Sequence, residues 1–227
     1  MTKSHPRILI CNGDANSYVT HGGLPFNLFK EGRNQGLIDH AASLNYKKIK
    51  HWKYVWNIFQ LLKFGKPGGF QYSQFYARKM IEDLKLSSDS SINILSIYPL
   101  LPSYPWPEKW NIDFYIDFTT AQIFTEYSSS DLISEGYKRK VISREKLNYI
   151  NAKSIICRSR ATMKSLVDDY KINKSKIFFV PGGANLDINR IDRDNLFNLP
   201  KKPSNKDPLI LGFIGLDWNR KGGQFLI

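Results

Sequence analysis

Residues 7–36 read RILICNGDANSYVTHGGLPFNLFKEGRNQG, and this stretch decides the fold. The apolar run at 7–11 predicts a buried strand, and the polar, glycine-rich residues 12–23 predict a loop. The residues that follow predict a helix, because Pro25 suits its first turn and Gly36 suits the position just after its end. A strand, a glycine loop and a helix in this order are typical of the start of an α/β domain.

The same alternation continues along the chain. Further strands are predicted at 92–98, 114–117, 154–157 and 176–180, and further helices at 49–62, 72–86, 131–150 and 158–170. Residues 99–107 contain four prolines and are predicted to be irregular, either lining a cleft or forming a surface loop. Nearly all-apolar strands are typical of a parallel sheet that is covered on both faces. We therefore expect a Rossmann-like, doubly wound parallel sheet.

A change in composition predicts a domain boundary. Residues 1–188 carry the alternating pattern, and residues 189–208 are polar and include KKPSNKDP, which is typical of a linker. LILGFIG then opens another strand, so residues 209–227 are expected to hold the first strand and loop of a second α/β domain.

The charge balance restricts the class of partner. The 227 residues include 33 Lys and Arg against 20 Asp and Glu, a formal net charge of +13. Such a surface favours a nucleic acid, a phospholipid surface or a phosphorylated small molecule. The chain has no RRM, KH or zinc pattern, which argues against nucleic acid. A basic module that binds nucleic acid or phosphate without catalysis nevertheless remains the alternative hypothesis.

Three absences bear on location and chemistry. No apolar run reaches the ~18 residues of a membrane span. Residues 1–11 lack the features of a signal peptide, so we expect a cytoplasmic protein. Cys11 and Cys157 lie far apart without metal or redox spacing, which predicts two buried thiols and no metal site.

Two glycine loops are candidate anion sites. Gly22 and Gly23 allow a close backbone approach before a helix N-terminus, although a turn without ligand is the alternative interpretation. In GLDWNRKGG (215–223), Arg220 and Lys221 offer a planar fork and a mobile charge, respectively. This second loop is not a P-loop, because no Ser or Thr follows the lysine.

Three segments together resemble the GT-B glycosyltransferases of family 4, also called group 1. They are HGGLPFNLFKEGRNQG (21–36), EKLNYINAKSIICRSRATMKSLVDDYKINKSKIFFVPGGANLD (145–187) and FIGLDWNRKGG (213–223). The second is similar to the family's pattern of a helix, an ADxxIxxS strand, a helix and KIxVVPNGVD, with Gly182 and Ala184 departing from it. The third is similar to FVGxxWxRKGG, with Leu216 where many relatives have arginine.

The resemblance implies retaining transfer of a sugar from a nucleotide-sugar donor to an acceptor glycan or lipid-linked saccharide. It places Arg220 and Lys221 on the donor diphosphate, without a metal or other cofactor, and Gly22 and Gly23 in the cleft. Asp117 is a candidate sugar contact, and capping of the next helix with Thr119 or Thr120 is the alternative. The family's paired glutamates lie beyond residue 227, so no catalytic residue is assigned and these residues alone are expected to be inactive.

Residues 46–66 (YKKIKHWKYVWNIFQLLKFGK) form the last candidate site. On a helix the apolar residues span one arc, and Lys50 and Lys53 flank it, as in helices that lie in a membrane interface. This pattern predicts peripheral contact with a membrane, which for the cytoplasmic protein expected above is contact with its inner face. The alternative is an ordinary helix whose apolar arc faces the core.

Overall fold

The computed structural model describes residues 5–44, 49–82, 84, 86, 89–97, 99, 101–126, 130–183, 212, 218 and 222–225. The chain divides into two compact units, Met1–Asn185 and Leu186–Ile227. The predicted linker at 189–208 lies outside the described residues, as does most of the predicted second-domain start at 209–227.

A single parallel sheet organises the first unit. Its described strands are β1 (Arg7–Asn12), β2 (His40–Leu44), β3 (Ile92–Ser96), β4 (Trp110–Ile116), β5 (Ser154–Cys157) and β6 (Ile177–Phe179). They pair in the order β2-β1-β3-β4-β5-β6, and each neighbouring pair is parallel. The predicted parallel α/β sheet is therefore confirmed.

Helices lie in the β1–β2, β2–β3, β4–β5 and β5–β6 connections. They are α1 (Leu24–Asn34), α2 (Trp52–Phe64), α3 (Gln74–Glu82), α4 (Thr120–Glu126), α5 (Glu135–Asn151) and α6 (Arg160–Asp168). The predicted end of α1 is confirmed. Gly36 follows the end of α1 in the left-handed region, and Ser159 caps α6 by accepting the Thr162 N–H at 3.0 Å.

Strand β2 and helix α4 were not predicted. Strand β2 reads HAASL and carries little apolar signal, because it lies at an edge of the sheet and four of its five residues are at least partly exposed. Helix α4 has only seven residues, too few to show a clear helical period. Gly136 lies in the first turn of α5 and does not interrupt that helix.

The core lies along the central strands. Four consecutive residues of β1 are buried, so both faces of this strand are covered. Strands β3 and β4 bury every second residue, including Ile94, Ile112 and Phe114. The apolar side chains of these strands form the main core with residues of the helices packed on them.

Helix α2 turns its apolar arc outward. Its exposed large side chains are Trp52, Tyr54, Val55, Ile58, Phe59, Leu61, Leu62 and Phe64, and we call this set the α2 apolar face. The helix is attached on the opposite side, where Trp56 lies against Tyr137 and donates its indole N–H to the Gly68 carbonyl at 3.2 Å. The alternative interpretation, in which the apolar arc faces the core, is therefore wrong.

A buried carboxylate joins three helices. Glu145 of α5 has no exposed surface, and its carboxylate accepts the Thr120 N–H of α4 at 3.1 Å and the Tyr149 hydroxyl at 2.8 Å. It also accepts the hydroxyl of Tyr170, which follows α6. Burial raises the pKa of Glu145, and these hydrogen bonds act in the opposite direction. Glu145 thus fixes the start of α4 against α5 and α6.

Replacing Glu145 by alanine should destabilise the domain strongly. Glu145→Ala would leave the Thr120 N–H and two tyrosine hydroxyls without their buried acceptor, which we expect to cost about 3 kcal/mol or more of unfolding free energy. The matched control is Glu126→Ala at the exposed end of α4, with an expected change within about 0.5 kcal/mol. Urea unfolding measures both, and equal midpoints for the two variants would contradict the role of Glu145.

Candidate functional site

A pocket of about 220 Å³ opens where three central strands end. Asn12 ends β1, Ile97 directly follows β3, and Asp117 directly follows β4, and all three line this pocket. We call it the sheet-edge pocket. Its other lining residues are His21, Leu24, Gln71, Tyr72, Tyr76, Pro99, Tyr115, Ile116, Phe118 and Ile123.

The pocket lies at the switch point of the sheet. Strand β2 pairs with one side of β1, and β3 to β6 continue from its other side, so the order of the strands reverses at β1. The loops after β1 and β3 therefore lead away in opposite directions and leave a crevice at the carboxyl edge. Ligands of open α/β sheets bind in such crevices.

The glycine loop forms one rim of the pocket. His21, Gly22 and Gly23 have φ values of 47°, 65° and 81°, so three consecutive residues adopt left-handed conformations. This turn requires glycine, since side chains disfavour that region. The His21 ring is held in place because its Nε2 donates to the Asn12 carbonyl at 3.0 Å. Gly22 and Gly23 thus lie between the lining residues His21 and Leu24.

Asp117 lies on the opposite rim. Its two carboxylate oxygens accept hydrogen bonds from Nη1 of Arg158 at 2.7 and 2.8 Å. The cap of α4 is formed instead by Thr119, whose hydroxyl accepts the Gln122 N–H at 3.3 Å while the Gln122 side chain accepts the Thr119 N–H at 3.0 Å. Thr119 therefore caps α4, as the alternative interpretation expected, whereas the Asp117 carboxylate pairs with Arg158. Contact of Asp117 with a sugar stays a prediction.

The first amides of α4 already have partners within the chain. Thr120 N–H donates to Glu145, and Ala121 N–H donates to the Tyr170 hydroxyl at 3.0 Å. A ligand in the sheet-edge pocket must therefore be held by the side chains of the rim and by the glycine loop, and not by this short helix.

Five residues of this region were missed by sequence reasoning: Asn12, His21, Tyr76, Tyr115 and Arg158. Two of them carried a detectable signal, because Asn12 and Arg158 stand at or just after the ends of predicted strands. Tyr115 lies inside β4, where nothing in the sequence distinguishes it from a core residue. Burial raises the pKa of Tyr115, and the nearby Arg158 guanidinium partly offsets this shift.

Arg220 and Lys221 lie outside the described residues. Their predicted contact with a donor diphosphate stays a prediction.

The two cysteines are buried, as predicted. Burial raises the pKa of the Cys11 thiol to about 11 and raises that of Cys157 as well. Both side chains are therefore protonated near neutral pH and act as small packing groups.

Neither a cluster of metal-binding side chains nor a membrane-spanning helix occurs among the residues that the structure describes. No group of three or more His, Cys, Asp and Glu side chains in that part of the chain could hold a metal ion. None of the helices found there is both long enough and apolar enough to cross a bilayer.

Comparison with protein-family models, with curated proteins and with solved structures finds no match for this chain. The similarity to glycosyltransferases therefore rests on the three sequence segments alone.

Gly182 gives a direct test of the Asp117–Arg158 pair. A Cβ atom at Gly182 would lie 2.8 Å from Nε and 3.0 Å from Cζ of Arg158, whereas one at Gly183 would meet nothing within 4 Å. Because the Asp117 carboxylate holds the guanidinium in place, Gly182→Ala should cost about 1–2 kcal/mol of unfolding free energy through overpacking. Gly183→Ala is the matched control. Equal stability of the two variants in urea would show that Arg158 moves freely.

Proposed function

We propose that residues 1–188 form the acceptor-side domain of a retaining glycosyltransferase that uses a nucleotide-sugar donor. The observation that carries the proposal is the sheet-edge pocket, which lies at the switch point beside the Gly22–Gly23 turn. The order and spacing of the three family-like segments supply the reaction class.

The lining of the pocket suits a saccharide. Tyr76 and Tyr115 offer aromatic surface to the apolar C–H faces of a sugar ring. Asn12, His21 and Asp117 offer hydrogen-bonding groups to its hydroxyls. A mostly apolar pocket with a few fixed polar groups is typical of small-molecule sites.

Asp117 is the proposed sugar contact within this set. Its carboxylate is oriented by the two hydrogen bonds from Arg158, so its remaining lone pairs are held in one direction. An oriented carboxylate accepts a hydroxyl proton without the loss of rotamer freedom that an unheld side chain would suffer. The ion pair therefore supports a binding role for Asp117, and no residue is assigned a catalytic role.

Arg220 and Lys221 are the proposed donor contacts. An arginine beside a lysine offers a planar fork and a point charge to a pyrophosphate. Positive charge at this position would stabilise the nucleoside diphosphate as it leaves, which is an electrostatic role that requires no metal. The proposal therefore involves no cofactor other than the nucleotide-sugar substrate.

A membrane surface is the proposed setting, with the protein on its cytoplasmic side and an acceptor glycan or lipid-linked saccharide as substrate. The α2 apolar face supports this placement, because Leu62 and Tyr54 are 83% and 71% exposed. Residues 46–66 contain six lysines and no acidic residue. An exposed apolar helix face with tryptophan, tyrosine and flanking lysines is typical of helices that lie in the bilayer interface.

Titration with UDP-glucose and GDP-mannose tests the donor assignment. We expect Lys221→Ala to weaken binding of the preferred donor about tenfold, because a charge-assisted hydrogen bond contributes roughly 1.5 kcal/mol or more. The matched control is Lys174→Ala, which removes the same charge before β6, at the opposite edge of the sheet from the pocket. Isothermal titration calorimetry gives the dissociation constants of the parent chain and of the two variants.

Two results would contradict the proposal. Equal affinities for Lys221→Ala and Lys174→Ala would show that Lys221 does not hold the diphosphate. Salt-sensitive binding of oligonucleotides without binding of either nucleotide sugar would instead favour the basic, non-catalytic module.

A further inference from the structure

A second pocket lies beside the α2 apolar face. It has a volume of about 390 Å³ and is enclosed by α2, the start of α3, α5 and the segment around Ser103. We call it the interhelix pocket. The side chains that matter below are Trp56, Gln74, Phe75, Lys140 and Arg144.

The interhelix pocket is basic. Lys140 and Arg144 line it from the same stripe of α5, one turn apart, and no Asp or Glu side chain is among its lining residues. Arg144 is only 8% exposed, so its guanidinium acts where water screens charge poorly. Arginine presents its N–H groups as a fork that matches the oxygens of a phosphate.

Neutral hydrogen-bonding groups complete the polar side of the pocket. Gln74 and Ser103 both line it, and the Ser103 N–H donates to the Gln74 side-chain oxygen at 3.2 Å. Their amide and hydroxyl groups hold each other at the wall, near the two cations. Such a set suits an ester of phosphate, which carries both charged and neutral oxygens.

The pocket is continuous with the α2 apolar face. Trp56 of α2 lines the pocket, and so does Phe75 of α3. The ring centroids of Phe75 and Trp52 lie 5.2 Å apart, and Trp52 belongs to the exposed face. A ligand with a phosphate in the pocket could therefore extend an apolar portion along α2. That combination is found in a phospholipid and not in a free phosphate.

We propose that the interhelix pocket holds the phosphate of an anionic membrane lipid while the α2 apolar face lies among the acyl chains. This inference rests on the proposed membrane contact of α2 and is independent of sugar transfer. An amphipathic helix at the interface lies with its apolar side at the boundary between headgroups and acyl chains, which brings groups beside it to the depth of the phosphates.

Vesicle binding by the full chain tests the pocket with variants of matched charge. Vesicles of phosphatidylcholine and phosphatidylglycerol are sedimented with the protein, and the partition constant is measured. Arg139→Gln and Lys140→Gln remove one charge each from neighbouring positions of α5, but only Lys140 lines the pocket. We expect Arg139→Gln to weaken binding by about fivefold or less, as surface charge does, and Lys140→Gln to weaken it several-fold more.

Arg144→Lys keeps the positive charge and removes the planar guanidinium group. It should weaken binding by about fivefold or more if the guanidinium holds a phosphate, and its unfolding midpoint shows whether it is folded. If Arg144→Lys does not fold, the comparison of Lys140→Gln with Arg139→Gln tests the phosphate pocket without it. The proposal would be contradicted if Lys140→Gln and Arg139→Gln weakened vesicle binding equally and Arg144→Lys bound vesicles as the parent does. Surface charge alone would then explain the binding.

Two further experiments show whether the phosphate belongs to a lipid or to a soluble molecule. Ile58→Ser with Leu62→Ser should abolish most vesicle binding, whereas Leu37→Ser, at an exposed apolar residue outside α2, should not.

Free sn-glycerol 3-phosphate should not displace the chain from vesicles. If sn-glycerol 3-phosphate binds through Lys140 and Arg144 while the variant with Ile58→Ser and Leu62→Ser still binds vesicles, the proposal of a lipid ligand is wrong. The pocket would then bind a soluble phosphate. We expect the variants of the interhelix pocket and of α2 to bind nucleotide sugars as the parent does. Failure of the lipid proposal can then be distinguished from failure of the proposed transfer reaction.

Discussion

A single carboxylate without exposed surface determines how the carboxyl-terminal half of this domain is arranged. Glu145 accepts hydrogen bonds from the first turn of α4, from its own helix α5 and from the tyrosine that follows α6. A buried charge is costly unless its hydrogen-bonding capacity is satisfied, so these hydrogen bonds hold the three helices together at this point. The position of α4 in turn fixes the segment that carries Asp117 to the rim of the sheet-edge pocket.

The second constraint comes from the sheet. Because β1 is flanked by β2 and β3, the loops that follow β1 and β3 separate and leave the crevice in which the pocket lies. His21 of the left-handed turn lines one side, and Asp117, which Arg158 holds in place, lines the other. Tyr72 lines both this pocket and the interhelix pocket, so the two candidate ligand sites are neighbours in the same domain.

Much of this fold was predictable because its central strands are apolar and its turns carry glycine or proline. The parts that escaped prediction have physical reasons. Strand β2 is an edge strand with little apolar character, and α4 is too short to show a period. In α5 the sequence looks charged throughout, yet Glu145 and Asn148 are buried, and Asn148 accepts the Tyr104 N–H at 2.9 Å. Buried polar residues of this kind are recognisable only when their partners are known.

The candidate site was predictable in part. The glycine pair and Asp117 could be found because each follows a strand, whereas Tyr115 resembled a core residue and the outward orientation of α2 contradicted the usual expectation for an apolar arc. The pairing of Asp117 with Arg158 joins residues 41 positions apart, and only the parallel register of β4 and β5 brings them together.

Hydrogen–deuterium exchange of the full chain, with and without a saturating mixture of UDP-glucose and GDP-mannose, tests most directly whether the sheet-edge pocket is the ligand site. The account predicts slower exchange of the backbone amides in residues 12–23 and 115–118, with no change along α2. Unchanged exchange in both segments, or slower exchange confined to α2 and α5, would contradict it.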